Sequence, residues 1–208
     1  MVNEKMKKSN KGDLQKEKLL SAARQLFAKK GYEASSTKEI NHQAGASDGL
    51  LYYYFPGGKE QLLNEIIRQT TDSKASEFII RFDKIASISC STEETLVNIF
   101  LMMWNLLTKK ENYQVLLIMI REQAAIDREQ MTWIWKLDGV IQRKIFDYLS
   151  DQFSTRTIHG NDPKTMADVI SSIYESFIYC QLVLNNDTKF TDDSKERLIR
   201  EIHLVLKG

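Results

Sequence analysis

The sequence predicts an all-α protein of about nine helices. Apolar residues recur at three- and four-residue spacing along most of the chain, which is the period of a helix with one buried face. The alternating pattern of a half-buried strand does not occur. Only two prolines interrupt the 208 residues, and a hydrophobic fraction of 42% is sufficient to bury a substantial core.

The first predicted helix has a clear buried face and a clear end. Leu19, Ala23 and Phe27 lie on one side at helical spacing, whereas the basic side chains project elsewhere. Gly31 follows the last apolar position, and glycine readily adopts the positive φ that ends many helices. We therefore expect the helix to end at about residue 30.

Two short helices are predicted next. Ser36 begins the second, with Glu39 three residues later to complete a capping box, and Gly45 ends it. Ser47 is the expected cap of the third helix, which runs from Asp48 to Tyr54 or Phe55. Helices of this length are unstable in isolation, so we expect their neighbours to pack against them.

The rest of the chain is predicted to be helical, after a break at Pro56-Gly57-Gly58. Asp162 is a good N-cap, and Pro163 suits the first position of the following helix. Five of the remaining helices are expected at about residues 59–84, 93–109, 112–125, 127–152 and 163–185. The last helix is expected after the polar segment NNDTKFTDD, with its apolar register running from Leu198 to Leu206.

Short helices joined by a glycine-containing turn are the layout of a helix-turn-helix, whose second helix enters the DNA major groove. The sequence resembles the TetR family of bacterial transcriptional repressors over roughly residues 13–65. The matching elements are AARQLFAKKGYEASSTKEI, AGASDGLLYYYF and the Lys59 that follows. The resemblance implies an N-terminal DNA-binding domain at residues 1–60 and a C-terminal effector-binding and dimerisation domain at residues 61–208.

The resemblance also implies which residues contact DNA. The opening of the second helix would hold a phosphate, the third helix would read bases, and the tyrosines and lysine would bind the backbone. Gly49 would allow close approach to the bases, and Leu50 would meet a thymine methyl group. The implied residues are Ser36, Thr37, Ser47, Asp48, Gly49, Leu50, Tyr52, Tyr53, Tyr54 and Lys59.

Two positions in this region depart from the family pattern. Asp48 places a negative charge at the mouth of the groove, where it either accepts a hydrogen bond from a cytosine amine or caps its own helix. Asn41 replaces a small apolar residue that is common in the family, so we expect Asn41 or His42 to face the DNA.

Charge supports a DNA-binding N-terminus. Residues 1–60 contain eleven Lys or Arg against seven Asp or Glu, a balance of +4, whereas the rest of the chain has a balance of −3. A concentrated positive charge favours phosphate binding. Lys5, Lys7, Lys8 and Lys11 form a basic arm that we expect to lack fixed structure without DNA; its contact with DNA is left open.

The C-terminal domain is expected to form a homodimer and to bind a small molecule. The helix beginning at Pro163 is apolar around most of its circumference, and a second copy of the chain would cover the surplus face. The resemblance implies a dimer through the last two helices and an effector pocket. The large pocket candidates, each with a place in the core as the alternative, are Met103, Trp104, Tyr113, Met119, Trp133, Trp135, Tyr174 and Phe177. Glu175 is the polar candidate for contacting a cationic ligand, and it could equally face water or a subunit boundary.

Other classes of function are less well supported. The three histidines are scattered, and no catalytic, phosphate-binding or metal-binding motif is present, so neither an enzyme nor a cofactor is predicted. No apolar run is long enough for a membrane span or a signal peptide, which predicts a cytoplasmic protein. The remaining alternatives are an architectural DNA-binding protein without an effector, a helical enzyme and a helical interaction module.

Overall fold

The computed structural model describes residues 2–88, 91–122, 126, 128–155 and 162–207. Side chains are described throughout these ranges except at residues 2–11, 71–74 and 128–137. The described part of the chain is all-helical, as predicted, and it divides into two compact units.

The helices follow one another with short connections. Within the described ranges they are α1 (Val2–Lys30), α2 (Thr37–Gln43), α3 (Leu50–Tyr54), α4 (Gly58–Ala86), α5 (Thr92–Leu107), α6 (Lys110–Arg121), α7 (Arg128–Ser154), α8 (Pro163–Phe177), a π-helix (Ile178–Leu184) and α9 (Asp192–Lys207).

The first unit contains Met1–Thr71 and Lys110–Trp133. Its core is built from the apolar faces of α1 to α4 together with α6. Completely or almost completely buried side chains include Leu19, Ala23, Phe27, Ile40, Leu51, Phe55, Leu62, Leu63, Ile67, Val115 and Ile118. The periodic faces predicted from the sequence are therefore the buried faces, and burial of this kind is the main source of stability for such short helices.

Helix α6 belongs to this first unit, although it lies well beyond the boundary at residue 60 that the sequence suggests. Arg24 of α1 pairs with Glu111 at 3.1 Å, and the Arg121 guanidinium donates to the carbonyl of Ala28 at 3.1 Å. The Glu122 carboxylate accepts from the backbone N–H of Tyr32 at 3.0 Å. These contacts fix α6 to the C-terminal half of α1 and to the loop that follows it.

The second unit contains Asp72–Lys109 and Ile134–Gly208. Its core lies where α5, α8 and α9 pack together. The most buried side chains include Leu96, Ile99, Phe100, Ile145, Leu149, Met166, Ile170, Tyr174, Leu182, Leu198 and Ile202. As predicted, Asp162 caps α8 by accepting from the N–H groups of Lys164 and Thr165.

Two helix boundaries differ from the prediction. Helix α1 begins at Val2, so the basic arm continues the helix and is not an unstructured segment. The helix that begins at Pro163 changes to a π-helix after Phe177, where Asn185 donates to the carbonyl of Cys180 five residues earlier. Phe177 before the change and Leu182 within the π-helix are both buried.

None of the described helices is both long enough and apolar enough to cross a membrane.

Candidate nucleic-acid interface

The start of α2 is fixed by the predicted capping box. Ser36 Oγ accepts from the N–H of Glu39 at 3.2 Å, and Glu39 Oε2 accepts from the N–H of Ser36 at 2.9 Å. The Ser36 hydroxyl also donates to Glu39 Oε2 at 2.7 Å, and Lys30 Nζ lies 2.6 Å from Glu39 Oε1. Ser36 therefore already uses its proton within the protein, whereas Thr37 beside it is half-buried with no cap role.

These contacts stabilise the charged form of the Glu39 carboxyl. The hydrogen bond from Lys30, followed by those from Ser36, lowers the pKa of Glu39 from 4.5 to about 2. Because the pKa is lower in the folded protein, the contribution of Glu39 to stability is present above about pH 4.5 and is lost as the pH falls toward 2.

Replacing Glu39 with Gln should therefore remove a pH-dependent part of the stability. We expect the wild type to be more stable than Glu39→Gln above about pH 4.5, with the difference shrinking as the pH falls toward 2. Urea unfolding of both proteins between about pH 6 and about pH 2.5 measures this. A difference that stays constant over that range would contradict the assignment.

The turn between α2 and α3 is tight and ends at Gly49. Gly45 has φ +63°, a conformation that favours glycine, and the N–H of Leu50 donates to the carbonyl of Ser47 at 3.0 Å. Helix α3 begins at Leu50, two residues later than predicted. Its N-cap is Gly49, which has no side chain to cap the helix, so the prediction that Ser47 caps α3 is wrong.

Asn41 does not face outward as the sequence suggests. Its side chain is 0% exposed, Nδ2 donates to the carbonyl of Asp48 at 2.8 Å, and Oδ1 accepts from the N–H of Leu51 at 3.2 Å. The expectation that Asn41 meets DNA is therefore wrong, because both polar ends of its amide are used inside the unit. His42, the other candidate, is exposed.

The predicted base-reading residues lie on the surface at the N-terminal end of α3. Ser47, Asp48 and Gly49 are exposed, and Leu50 is half-buried. Among the tyrosines, Tyr52 is 52% and Tyr53 is 76% exposed, whereas Tyr54 is half-buried against the ring edge of Tyr53. Large exposed side chains next to a short exposed turn form a projecting surface rather than a pocket.

Gly49 has no structural need to be glycine. Its φ is −90°, which any residue adopts, and a Cβ placed on it would meet nothing within 4 Å. Gly58, by contrast, has φ +64°, and an added Cβ would lie 3.3 Å from the ring of Tyr52. Conformation therefore accounts for Gly58 but not for Gly49.

Lys59 lies in the first turn of α4 and is already bound within the unit. Its Nζ donates to the carbonyl of Tyr32 at 2.9 Å and to that of Glu33 at 3.4 Å. The ammonium also lies 4.4 Å from the centre of the Tyr32 ring, a cation–π distance. Two of its three N–H donors thus hold the loop between α1 and α2, and the third makes no hydrogen bond among the described residues.

Three of the predicted effector residues meet in one aromatic cluster of the second unit. Trp104, Tyr174 and Phe177 surround Phe100 at centroid distances of 5.2–5.9 Å, and Phe190 packs against Phe100 at 5.1 Å. The buried Tyr174 hydroxyl donates to the carbonyl of Leu96 at 2.6 Å, and burial raises the pKa of Tyr174 well above its ordinary value. These rings fill space against one another, which is the core arrangement that the sequence leaves as an alternative.

The other predicted effector residues are dispersed. Met103 is buried in α5, whereas Tyr113 and Met119 are half-buried on α6 in the first unit. Trp133 and Trp135 lie in the part of α7 whose side chains are outside the described residues. Glu175 is exposed; partial desolvation, followed by the Asp138 carboxylate, raises its pKa.

An open cleft lies beside the aromatic cluster. It has a volume of about 340 Å³, and its lining includes the rings of Trp104 and Phe190 and the polar residues Asn105, Thr108 and Lys195. Of the predicted effector residues whose side chains are described, Trp104 alone lines it. The sequence did not indicate Phe190 because it follows a polar segment, and its ring partners are more than ten residues away.

Short helices α2 and α3, the tight turn between them and the exposed N-terminal end of α3 define a helix-turn-helix protein. Residues 19–66 match the family described as "Bacterial regulatory proteins, tetR family". The sequence match to the TetR family is confined to the helix-turn-helix region, whereas the fold likeness to solved TetR-family structures extends along most of the chain.

The sequence relatives are transcriptional regulators. The chain is 48% identical to the HTH-type transcriptional regulator LmrA of Bacillus subtilis over 54 residues, which cover 26% of this chain and 29% of LmrA. It is 46% identical to the regulator QacR of Staphylococcus aureus over 52 residues, which cover 25% of this chain and 27% of QacR. The chain therefore spans less than a third of the length of these curated relatives.

Solved structures extend the likeness to the whole fold. A TetR-family regulator from Mesorhizobium loti superimposes with a TM-score of 0.67 and 17% identity, covering 94% of both chains. FadR of Bacillus subtilis superimposes with a TM-score of 0.64 and 21% identity, and the match covers 92% of this chain and 97% of FadR. At these identities the comparison establishes the fold alone.

Proposed function

We propose that this protein is a ligand-released repressor of transcription that binds a palindromic DNA site as a homodimer. The observation that carries the proposal is the exposed turn from Ser47 to Gly49. The side chains of Ser47 and Asp48 are exposed, while the backbone carbonyl of Asp48 is bound by the buried Asn41 side chain. An exposed, rigid helix start is what insertion into the major groove requires.

The contacts to DNA divide into two groups. Ser47, Asp48, Gly49 and Leu50 would meet base edges, whereas the exposed tyrosines would meet phosphates; the exposure of Ser47, Asp48, Gly49, Tyr52 and Tyr53 supports this division. Between the two roles expected for Asp48, a base contact is favoured, because the N-cap of α3 is Gly49 and the Asp48 side chain is exposed. Thr37 and Lys59 would contribute at the DNA backbone, Lys59 through the N–H that makes no hydrogen bond among the described residues. Ser36 is a weaker candidate, because its N–H and its hydroxyl are both bound by Glu39.

The proposed dimer uses the last two helices. Within the described residues, α8, the π-helix and α9 carry the exposed apolar side chains Val169, Tyr179, Leu184 and Leu204, the last of which is 70% exposed. Exposed apolar surface of this kind is typical of an interaction site, and a second copy of the chain would cover it. A two-fold dimer would offer two α3 helices to major grooves about 34–36 Å apart.

Release by a ligand is supported by the position of α6. This helix follows α5 in the chain but belongs to the unit that contains α1 and α2, where Arg121 and Glu122 hold the end of α1 and the next loop. A ligand that moved α6 would therefore move the helix-turn-helix. FadR was solved in complex with stearoyl-CoA, which supports an effector of small-molecule size.

The test is footprinting on the DNA upstream of the protein's own gene, with and without candidate ligands. The proposal predicts a protected palindromic site, a protein–DNA stoichiometry of two chains per site, and loss of protection with an effector. A protein that stays monomeric and leaves every duplex unprotected in low salt would contradict it. Protection that no compound reverses would favour the alternative of an architectural DNA-binding protein.

Replacing Tyr53 with Phe should weaken binding to all duplexes by a similar factor, about tenfold, because only a phosphate-directed hydroxyl is removed from this largely exposed ring. Gel-shift titrations on the operator and on unrelated DNA measure the two affinities. Tyr148→Phe removes the hydroxyl of a half-buried tyrosine on α7, outside the proposed DNA and dimer surfaces, and serves as the control. Unchanged affinity in Tyr53→Phe would remove this residue from the interface.

A further inference from the structure

Asn41 connects the two helices of the helix-turn-helix from the inside. Its side chain is 0% exposed and lies on α2, but its amide bonds to the Asp48 carbonyl at 2.8 Å and to the Leu51 N–H at 3.2 Å. We propose that Asn41 is a positioning residue that sets the base preference of α3 without touching DNA. The inference rests on the DNA-binding function proposed above.

Helix α3 needs this support because it lacks a cap of its own. It has five residues, fewer than an isolated helix requires, and its N-cap Gly49 has no side chain to bind the first N–H groups. The N–H of Leu51, the second residue of α3, is one of these groups, and a cap side chain would normally accept from it. Asn41 Oδ1 supplies that acceptor from the neighbouring helix.

The other end of the amide fixes the turn before α3. Asn41 Nδ2 holds the carbonyl of Asp48, and the backbone carbonyl of Asn41 accepts from the N–H of Ala46 at 2.8 Å. Residues 46–51 are thus bound to one residue at three points. Within this segment Ser47, Asp48 and Gly49 are exposed, so the backbone is held on the inner side while the side chains face outward.

This geometry separates base reading from backbone binding. A change at Asn41 would alter the rotation of the α3 start and hence the placement of Ser47, Asp48 and Leu50 against base edges. Lys59 does not depend on the Asn41 amide, because its ammonium is held by the loop after α1. The number of phosphates neutralised by cationic side chains, which sets the salt dependence of binding, should therefore stay the same.

The experiment compares Asn41→Ala and Asn41→Leu with Ile40→Val in the full-length protein. Ile40 is the neighbouring residue on α2 and is also fully buried, but its side chain has no polar group, so Ile40→Val reproduces a loss of stability without loss of the amide. The measurements are thermal stability, the salt slope of DNA binding, and the affinity ratio between the operator and duplexes with one changed base pair under Ser47–Leu50.

We expect both Asn41 variants to reduce that ratio by about tenfold while the salt slope stays unchanged, and Ile40→Val to keep both values. An unchanged ratio in the Asn41 variants would overturn the inference, as would an equal fall in Ile40→Val, which would mean that reduced stability alone is responsible. If the wild type itself shows no base preference, the proposed function fails instead.

Hydrogen exchange on the wild type gives a test that needs no variant. The N–H of Leu51 is expected to exchange far more slowly than that of Gly49, because Asn41 Oδ1 holds the first and no comparable acceptor among the described residues holds the second. Similar exchange rates at the two positions would overturn the inference even if every Asn41 variant failed to fold.

Discussion

Replacing Gly49 with Ala is expected to weaken operator binding at least about tenfold while leaving the thermal stability of the protein unchanged or slightly higher. The added methyl group meets no protein atom within 4 Å, and the φ of −90° suits Ala. The methyl group would instead enter the space that the bases occupy in the complex. Disturbing the recognition of a single base pair typically costs about 1–3 kcal/mol of binding free energy.

Gly139→Ala is the matched control for this experiment. Gly139 also has no neighbour for an added Cβ within 4 Å, but it belongs to the second unit, which does not contain α3. Gel-shift titration and thermal melting of both variants separate effects on DNA binding from effects on stability. If Gly49→Ala binds the operator as tightly as Gly139→Ala does, α3 does not approach the bases at this residue.

Replacing Phe100 with Ala is expected to destabilise the protein by about 3–5 kcal/mol. Phe100 is 0% exposed and contacts the rings of Trp104, Tyr174, Phe177 and Phe190, so its removal leaves a cavity at the centre of the cluster. Aromatic pairs at these distances also contribute beyond their buried area. Chemical denaturation followed by circular dichroism measures the reduction in the free energy of unfolding.

Phe153→Ala provides the comparison for this second prediction. Phe153 lies near the end of α7 and is 41% exposed, so its truncation should change the free energy of unfolding by about 0.5 kcal/mol or less. A reduction below about 1 kcal/mol for Phe100→Ala would show that the cluster adapts to the missing ring, as a ligand-accommodating site does, and would favour the effector-pocket interpretation of Trp104 and Phe177.

The local features of the helix-turn-helix could be predicted because their causes are close in sequence. Ser36 and Glu39 form a capping box within one turn, and the buried positions Leu51 and Phe55 follow from helical spacing. The sequence places the start of α3 two residues early because Ser47 and Asp48 resemble cap residues. The structure gives that role to Asn41, which belongs to the preceding helix.

The candidate site was predicted as a set of positions but not as a set of contacts. The turn at Ser47–Gly49 and two of the tyrosines, which the resemblance assigns to DNA contacts, are exposed. The two carbonyls that hold Lys59 could not be predicted, because they lie 26 and 27 residues earlier in a loop whose path depends on packing. The same limit applies to Phe190, which joins a cluster built from α5 and α8.

The amino-acid sequence alone determined the helical class, the order of the helices, their caps at Ser36 and Asp162, and the family of the N-terminal domain. These features arise from interactions within three or four residues and from short motifs. Only the tertiary structure decided that Asn41 faces inward, that α6 belongs with α1, and that Phe100 lies at the centre of a ring cluster. Those outcomes depend on which distant side chains share a limited buried volume, and residue spacing does not encode that choice.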